Sequence, residues 1–121
     1  MLNEYDIGRH RFCELKHFCM QYRDWKELYS RVQNDGLQNS REQKDVTGNT
    51  AVLKTDYGHA IELIETTARA TSLAYADYIL RSVTEDVSYS YLKNEGLRCD
   101  KDTFDTLRGR FFYLLSLRKG V

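Results

Sequence analysis

The sequence predicts an all-α fold: a small helical domain with a long N-terminal helix and a C-terminal helix-turn-helix. Three observations carry that expectation. The chain of 121 residues contains no proline, although about six would be usual at roughly 5%, so the strongest helix breaker is missing. Apolar residues recur at spacings of three and four along most of the chain, which is the period of one helix face. Turn signals such as Asp35-Gly36, Gly48-Asn49 and Gly96 fall between those stretches. The length suits one domain with a real core and is too short for two ordinary ones.

The first helix is expected from about Asp6 to Val32. Leu15, Phe18, Tyr22, Trp25, Leu28 and Tyr29 share a face, with charged residues opposite. Residues 33–50, QNDGLQNSREQKDVTGNT, are poor in apolar side chains and predict a flexible connection. A second helix follows from about Thr50 to Thr67 or Ser72, with Val52, Leu53, Tyr57, Ala60, Ile61, Ile64 and Ala68 in rhythm. Gly58 lies inside it, a small residue that permits a close helix contact. A third helix, from about Ser72 to Val83, carries Leu73, Ala76, Ile79, Leu80 and Val83. A turn at Thr71–Ser72 and fusion of the two helices both remain open.

Residues 1–83 thus form a helical core and oligomerisation region, and residues 84–121 a helix-turn-helix region packed on the same core. In the latter, Thr84 is the expected N-cap, with Glu85 and Asp86 in the first turn. A short helix then turns Val87, Tyr91 and Leu92 inward. Gly96 stops it, and Leu97 follows as a buried plug. Asp100 or Asp102 caps the last helix, which buries Phe104, Leu107, Phe111, Leu114 and Leu115 and ends at Gly120.

Composition excludes collagen-like, polyproline and proline-rich disordered classes. No run approaches 18 apolar residues, so no membrane span is expected. The start, MLNEYDIGRH, lacks a basic region followed by an apolar run, so no secretion signal is expected. Three cysteines suit a reduced, cytoplasmic chain. The formal net charge is zero. That sum hides a net of −3 over residues 1–95 and +3 over residues 96–121, and for a polyanion partner the location of charge matters more than the total.

The helix–turn–helix proportions at 87–118 point to duplex DNA as a partner. A bracing helix would support a second helix whose N-terminal half faces base edges in the major groove. The face assigned to that work carries Lys101, Thr106 and Arg110, flanked by Thr103 and Arg108. Arginine reads guanine bidentately or grips phosphate, and threonine hydrogen-bonds or touches a thymine methyl. Tyr89 and Lys93 would reach backbone phosphates. A helical hairpin with a merely solvated charged face, or one that binds RNA or another polyanion, fits the same pattern. Asp100, Asp102 and Asp105 repel phosphate unless they cap or pair.

Other constellations are weaker. His10, Cys13 and His17 share one helical face, but a fourth metal ligand would have to come from Cys19 or Cys99, and no Cys-x-x-Cys or His-Glu-x-x-His is present. No metal and no cofactor is expected. Glu62 and Glu65, with Asp56 upstream, have no nucleophile or apolar pocket assigned to them, and no glycine-rich phosphate loop occurs. The expectation is a non-enzyme with no small-molecule substrate. Nine tyrosines and Trp25 fill a small core or an interface. Phe18, Tyr22, Trp25 and Tyr29 are the candidate interface of a homo-oligomer, a homodimer in the case of a two-fold DNA reader.

Four stretches carry a family resemblance: YRDWKELY at 22–29, DVTGNTA at 45–51, HAIELIETTA at 59–68 and YILRSV at 78–83. So, most clearly, does DVSYSYLKNEGLRCDKDTFDTLRGRFFYLLSLRK at 86–119. These resemble phage proteins of the RinA-type transcriptional regulator group. The resemblance implies a bacteriophage or prophage transcription regulator whose C-terminal helix-turn-helix is like region 4 of sigma factors, with RNA polymerase as a further partner. It places Thr103, Arg108 and Arg110 on or beside the DNA-facing helix, and Phe104, Phe111, Phe112 and Leu115 beneath it. The chain departs from the group at Asp102, Asp105 and Gly109, where relatives are more basic. The alternative from a different class is a non-enzymatic helical assembly protein: a small-terminase-like packaging subunit or an adaptor that binds a host protein.

Overall fold

A computed structural model describes residues 7–38 and 46–120, with side chains described over 7–31 and 56–120. Among the described residues there are six helices and no strand: α1 (Arg9–Met20), α2 (Tyr22–Gln38), α3 (Val46–Thr71), α4 (Ala76–Glu85), α5 (Tyr89–Asn94) and α6 (Lys101–Lys119). The all-α expectation holds.

The single long N-terminal helix is instead two helices, interrupted at Gln21 (φ −83°, ψ −4°). Gln21 N–H donates to the Phe18 carbonyl at 3.3 Å, a tightened i→i−3 bond, and Trp25 N–H donates to the Gln21 carbonyl at 2.9 Å. Leu15, Cys19 and Tyr22 continue into the core across this break. Phe18 and Trp25 meet edge to face over it, with centroids 4.9 Å apart.

The expected loose connection is also shorter. Residues 33–38 belong to α2 and residues 46–50 to α3, while 39–45 lie outside the described residues. The pairing of α2 with α3 is the most extensive between any two helices here. Asp35-Gly36 and Gly48 thus lie within helix although local propensity favours a turn. Gly58 does permit a close approach, because a Cβ there would lie 3.3 Å from the Tyr29 ring.

The helix is interrupted at 72–75, so α3 and α4 are separate. Ser72 Oγ accepts from Tyr75 N–H at 3.3 Å, and Leu73, expected on an apolar stripe, is 80% exposed in this turn. Thr84 is not an N-cap. It is buried in the last turn of α4, where its hydroxyl donates to the Leu80 carbonyl at 2.6 Å. Glu85 closes that helix and Asp86 follows in the left-handed region at φ 54°.

Ser88 is the N-cap of α5, accepting from Tyr91 N–H at 3.1 Å. Gly96 (φ 114°) ends α5 as expected. Leu97 N–H donates to the Leu92 carbonyl at 3.0 Å and Gly96 N–H to the Lys93 carbonyl at 3.1 Å, a complete Schellman motif. Leu92 and Leu97, which that motif brings together, are both buried. Tyr91 is 45% exposed rather than inward, with the Arg81 guanidinium 5.5 Å from its ring centre.

One hydrophobic cluster joins all the helices. Leu15, Ile64, Ile79, Leu92, Phe104, Phe111 and Leu115 are essentially removed from solvent, each contributing roughly 1.5–3 kcal/mol of transfer free energy. It draws on residues from both 1–83 and 84–121, so the C-terminal region shares the core of the rest. Leu107 and Leu114, expected inside, are half-buried. The far end of α6 is tied back to α1. Arg11 donates to Ser116 Oγ at 3.0 Å, to the Ser116 carbonyl at 3.1 Å and to the Gly120 carbonyl. A cation thus meets carbonyls that a helix C-terminus leaves open. No described helix is long and apolar enough to cross a membrane.

Candidate nucleic-acid interface

Helix α6 starts from a well-made cap. Asp100 accepts from Thr103 N–H at 3.3 Å and from the Thr103 hydroxyl at 2.6 Å. Those two bonds hold the Asp100 carboxyl below its ordinary value. Of the three aspartates that oppose a polyanion, Asp100 therefore caps. Asp105 pairs with Lys101 at 3.7 Å. Asp102 stands in the first turn of α6, where a carboxylate suits the helix dipole, and its carbonyl accepts from the Thr106 hydroxyl at 3.0 Å.

The buried line of α6 is Phe104, Phe111, Phe112 and Leu115. At about 100° per residue, Thr103, Thr106 and Arg110 fall on the side away from it, and all three are exposed. Lys101 and Arg108 do not share that face, since both project within about 60° of Phe104. Lys101 remains exposed on the flank. Arg108 is half-buried, and its Nε is buried without a hydrogen-bond partner. The expected five-residue face therefore divides into an outward group of Thr103, Thr106 and Arg110, and an inner flank of Lys101 and Arg108.

The bracing side differs too. Tyr89 is half-buried, and its hydroxyl donates to the Cys99 carbonyl at 2.5 Å. Its ring lies 6.2 Å from that of Phe104. It anchors the connection between α5 and α6, so its proton is not free for a phosphate. Lys93 is exposed on the last turn of α5. The connection runs over six residues, 95–100, against the three or four of a helix-turn-helix turn. Residues 86–88, between α4 and α5, are a three-residue turn with a left-handed residue.

An open cleft of about 720 Å³ lies along the α5–α6 connection, lined by Tyr89, Lys93, Gly96, Leu97, Arg98, Cys99, Asp100 and Lys101. It brings together Lys93, Lys101 and Arg98. Sequence reasoning passed over Arg98; the available signal was an isolated cation between the apolar Leu97 and Cys99.

Charge pairing separates this region from the rest. Arg11, Lys16, Arg23, Lys26 and Arg31 each have a carboxylate within reach, as do Arg81, Lys101 and Lys119. Among the described residues, Lys93, Arg98, Arg108 and Arg110 have none, and outside this stretch only Arg9, Arg69 and Arg118 share that condition. Most of the cations of the C-terminal segment thus lack a carboxylate partner, Lys101 and Lys119 excepted.

The other candidates behave differently. Tyr22 is buried and its hydroxyl donates to Glu65, which turns it into the protomer and away from an interface. Phe18, Trp25 and Tyr29 are half-buried. Glu65 also pairs with Lys26 at 3.8 Å, and with Glu62 it borders a groove of about 290 Å³ between α2 and α3. His10, Cys13 and His17 are exposed on α1 while Cys19 is buried. No group of three or more potential metal ligands converges among the described residues. Burial pushes the Cys19 thiol up to about 12.

Comparison of the chain with protein-family models, with curated proteins and with solved structures finds no match.

Proposed function

We propose that this chain is a non-enzymatic, sequence-specific DNA-binding regulator of bacteriophage or prophage transcription, with α6 as the element that faces the duplex. The observation that carries the reading is the set of unpaired cations at Lys93, Arg98, Arg108 and Arg110, in a fold whose N-terminal cations are mostly paired. A protein gains no folding stability from leaving cations unpaired. It does gain counterion release when they meet phosphate. The exposed Arg110 supplies donors for base edges, and the exposed Thr103 and Thr106, whose hydroxyl protons go to Asp100 and to the Asp102 carbonyl, supply methyl groups for contact with thymine.

The RinA-type resemblance adds RNA polymerase as a partner, and a two-fold DNA site adds a homodimer. Phe18, Trp25 and Tyr29 are the aromatic residues available to such an interface, without Tyr22. Selection of bound duplexes from random sequence, followed by affinity measurements over a salt series, tests the proposal. Recovery of a preferred site, with affinity falling steeply in salt and lost in Arg110→Glu at unchanged helicity, supports it. Absent or salt-independent binding overturns it.

The assembly or host-adaptor reading draws on the half-buried aromatics of α1 and α2. Light scattering over a concentration series separates the two: a ring of eight or more subunits favours packaging, and a dimer favours the regulator.

A further inference from the structure

We infer that the cleft along the α5–α6 connection is a clamp for the DNA backbone phosphate, with Arg98 at its centre and with a task distinct from that of the outward face of α6. The inference rests on the DNA-binding reading and assigns, within it, which residues grip and which read.

Three features of the cleft support it. First, Lys93, Arg98 and Lys101 come from the end of α5, the connection and the start of α6, and converge on one concavity. Cations separated in sequence that line one open cleft suit an anion that approaches from solvent.

Second, Arg98 stands on a backbone held from both sides. Leu97 before it is buried and bonded to the Leu92 carbonyl at 3.0 Å. The Cys99 carbonyl after it accepts the Tyr89 hydroxyl at 2.5 Å. The exposed guanidinium therefore projects from a fixed base, and less freedom is lost when it engages a ligand. Planar guanidinium donors match phosphate oxygens in pairs.

Third, the one carboxylate in the cleft is already engaged. Asp100 is turned to Thr103 N–H and hydroxyl, which leaves three cations facing one committed anion. The Lys101–Asp105 pair at 3.7 Å is an exposed i,i+4 contact that yields readily to a stronger anion.

None of Thr103, Thr106 and Arg110 lines the cleft. Phosphate contacts position a protein on the duplex and carry no sequence information, whereas base contacts specify. The two groups should therefore fail differently. Arg98→Gln should weaken binding to a selected site and to random duplex by the same factor, and should reduce the slope of log affinity against log salt by about 0.9. Arg110→Gln should weaken the selected site more than random duplex.

Cys99 lies in the cleft wall and is half-buried, while Cys13 is exposed on α1. Duplex DNA should slow alkylation of Cys99 and leave Cys13 unchanged. Millimolar inorganic phosphate should protect neither. If DNA binds but Arg98→Gln changes neither affinity nor slope, or Cys99 labels equally fast with DNA, the clamp is wrong and the DNA-binding reading stands. Protection of Cys99 by inorganic phosphate alone would make the cleft a free-phosphate site and also overturn the clamp. If the wild-type chain binds no duplex at low salt, both fall together.

Discussion

Two glycine-to-alanine substitutions should move stability in opposite directions. Gly96 has φ 114° and a Cβ added there would sit 3.1 Å from the Tyr78 hydroxyl. Positive φ costs an L-residue on the order of 1–2 kcal/mol, and the tight contact adds to this unless Tyr78 shifts. Gly96→Ala should therefore destabilise by roughly 1–3 kcal/mol. Gly109 lies inside α6 with nothing within 4 Å of an added Cβ. There alanine removes only the entropic penalty of glycine and should stabilise by roughly 0.5–1 kcal/mol. At about 3–6 °C per kcal/mol for a chain of this size, thermal unfolding by circular dichroism should show a lower Tm for Gly96→Ala and a higher one for Gly109→Ala. Tyr78→Phe in the Gly96→Ala background should recover the contact part of the loss and leave the backbone part. An unchanged or raised Tm for Gly96→Ala would refute the reasoning about the α5 terminus. So would a lowered Tm for Gly109→Ala, for the solvent side of α6.

Three further outcomes follow from the same geometry. Arg11→Ala removes the bonds to Ser116 and Gly120, at a cost of about 1 kcal/mol for a partly exposed charged donor; amide exchange should quicken at the α6 C-terminus and not at its capped start. Asp100 is held below its ordinary value of 3.8 by Thr103. Its contribution is therefore present above that value and lost as pH falls through and below it. The Tm gap between wild type and Asp100→Ala should shrink as pH is lowered from 5 towards 3. Burial raises Cys19 from 9.0 to about 12, and burial with the Glu65 carboxylate raises Tyr22. Both groups lose protons more readily when unfolded, so stability should hold below pH 9 and decline as pH rises from there towards 12, with a smaller decline in Tyr22→Phe.

Much of the fold was legible because periodicity reports burial directly. Phe104, Phe111 and Leu115 on α6, and Ile64 and Ala68 on α3, were expected inside and are. The Gly96 stop and the Asp100 cap were legible because positive φ and an exposed N–H each favour one kind of residue. The errors arose where the structure departs from local preference. Helix runs through Asp35-Gly36 and Gly48, where local preference favours a turn. Thr84 has the chemistry of an N-cap, yet its hydroxyl satisfies a carbonyl one turn back, a choice that sequence does not distinguish.

Of the candidate site, the excess charge of residues 96–121 was legible in the sequence, and the geometry was not. Residue type alone did not show that Tyr89 spends its hydroxyl on Cys99, that Arg108 leans inward, or that Arg98 joins Lys93 and Lys101 in one cleft. Each depends on how the 95–100 connection folds.

The salt dependence of duplex binding tests the central claim most directly. If Lys93, Arg98 and Lys101 each neutralise a phosphate, log affinity should fall with log salt at a slope of about −3. Replacing all three with glutamine should bring that slope near zero with helicity intact. A wild-type chain that binds no duplex at low salt, or binds with a slope the threefold variant leaves unchanged, would contradict the account.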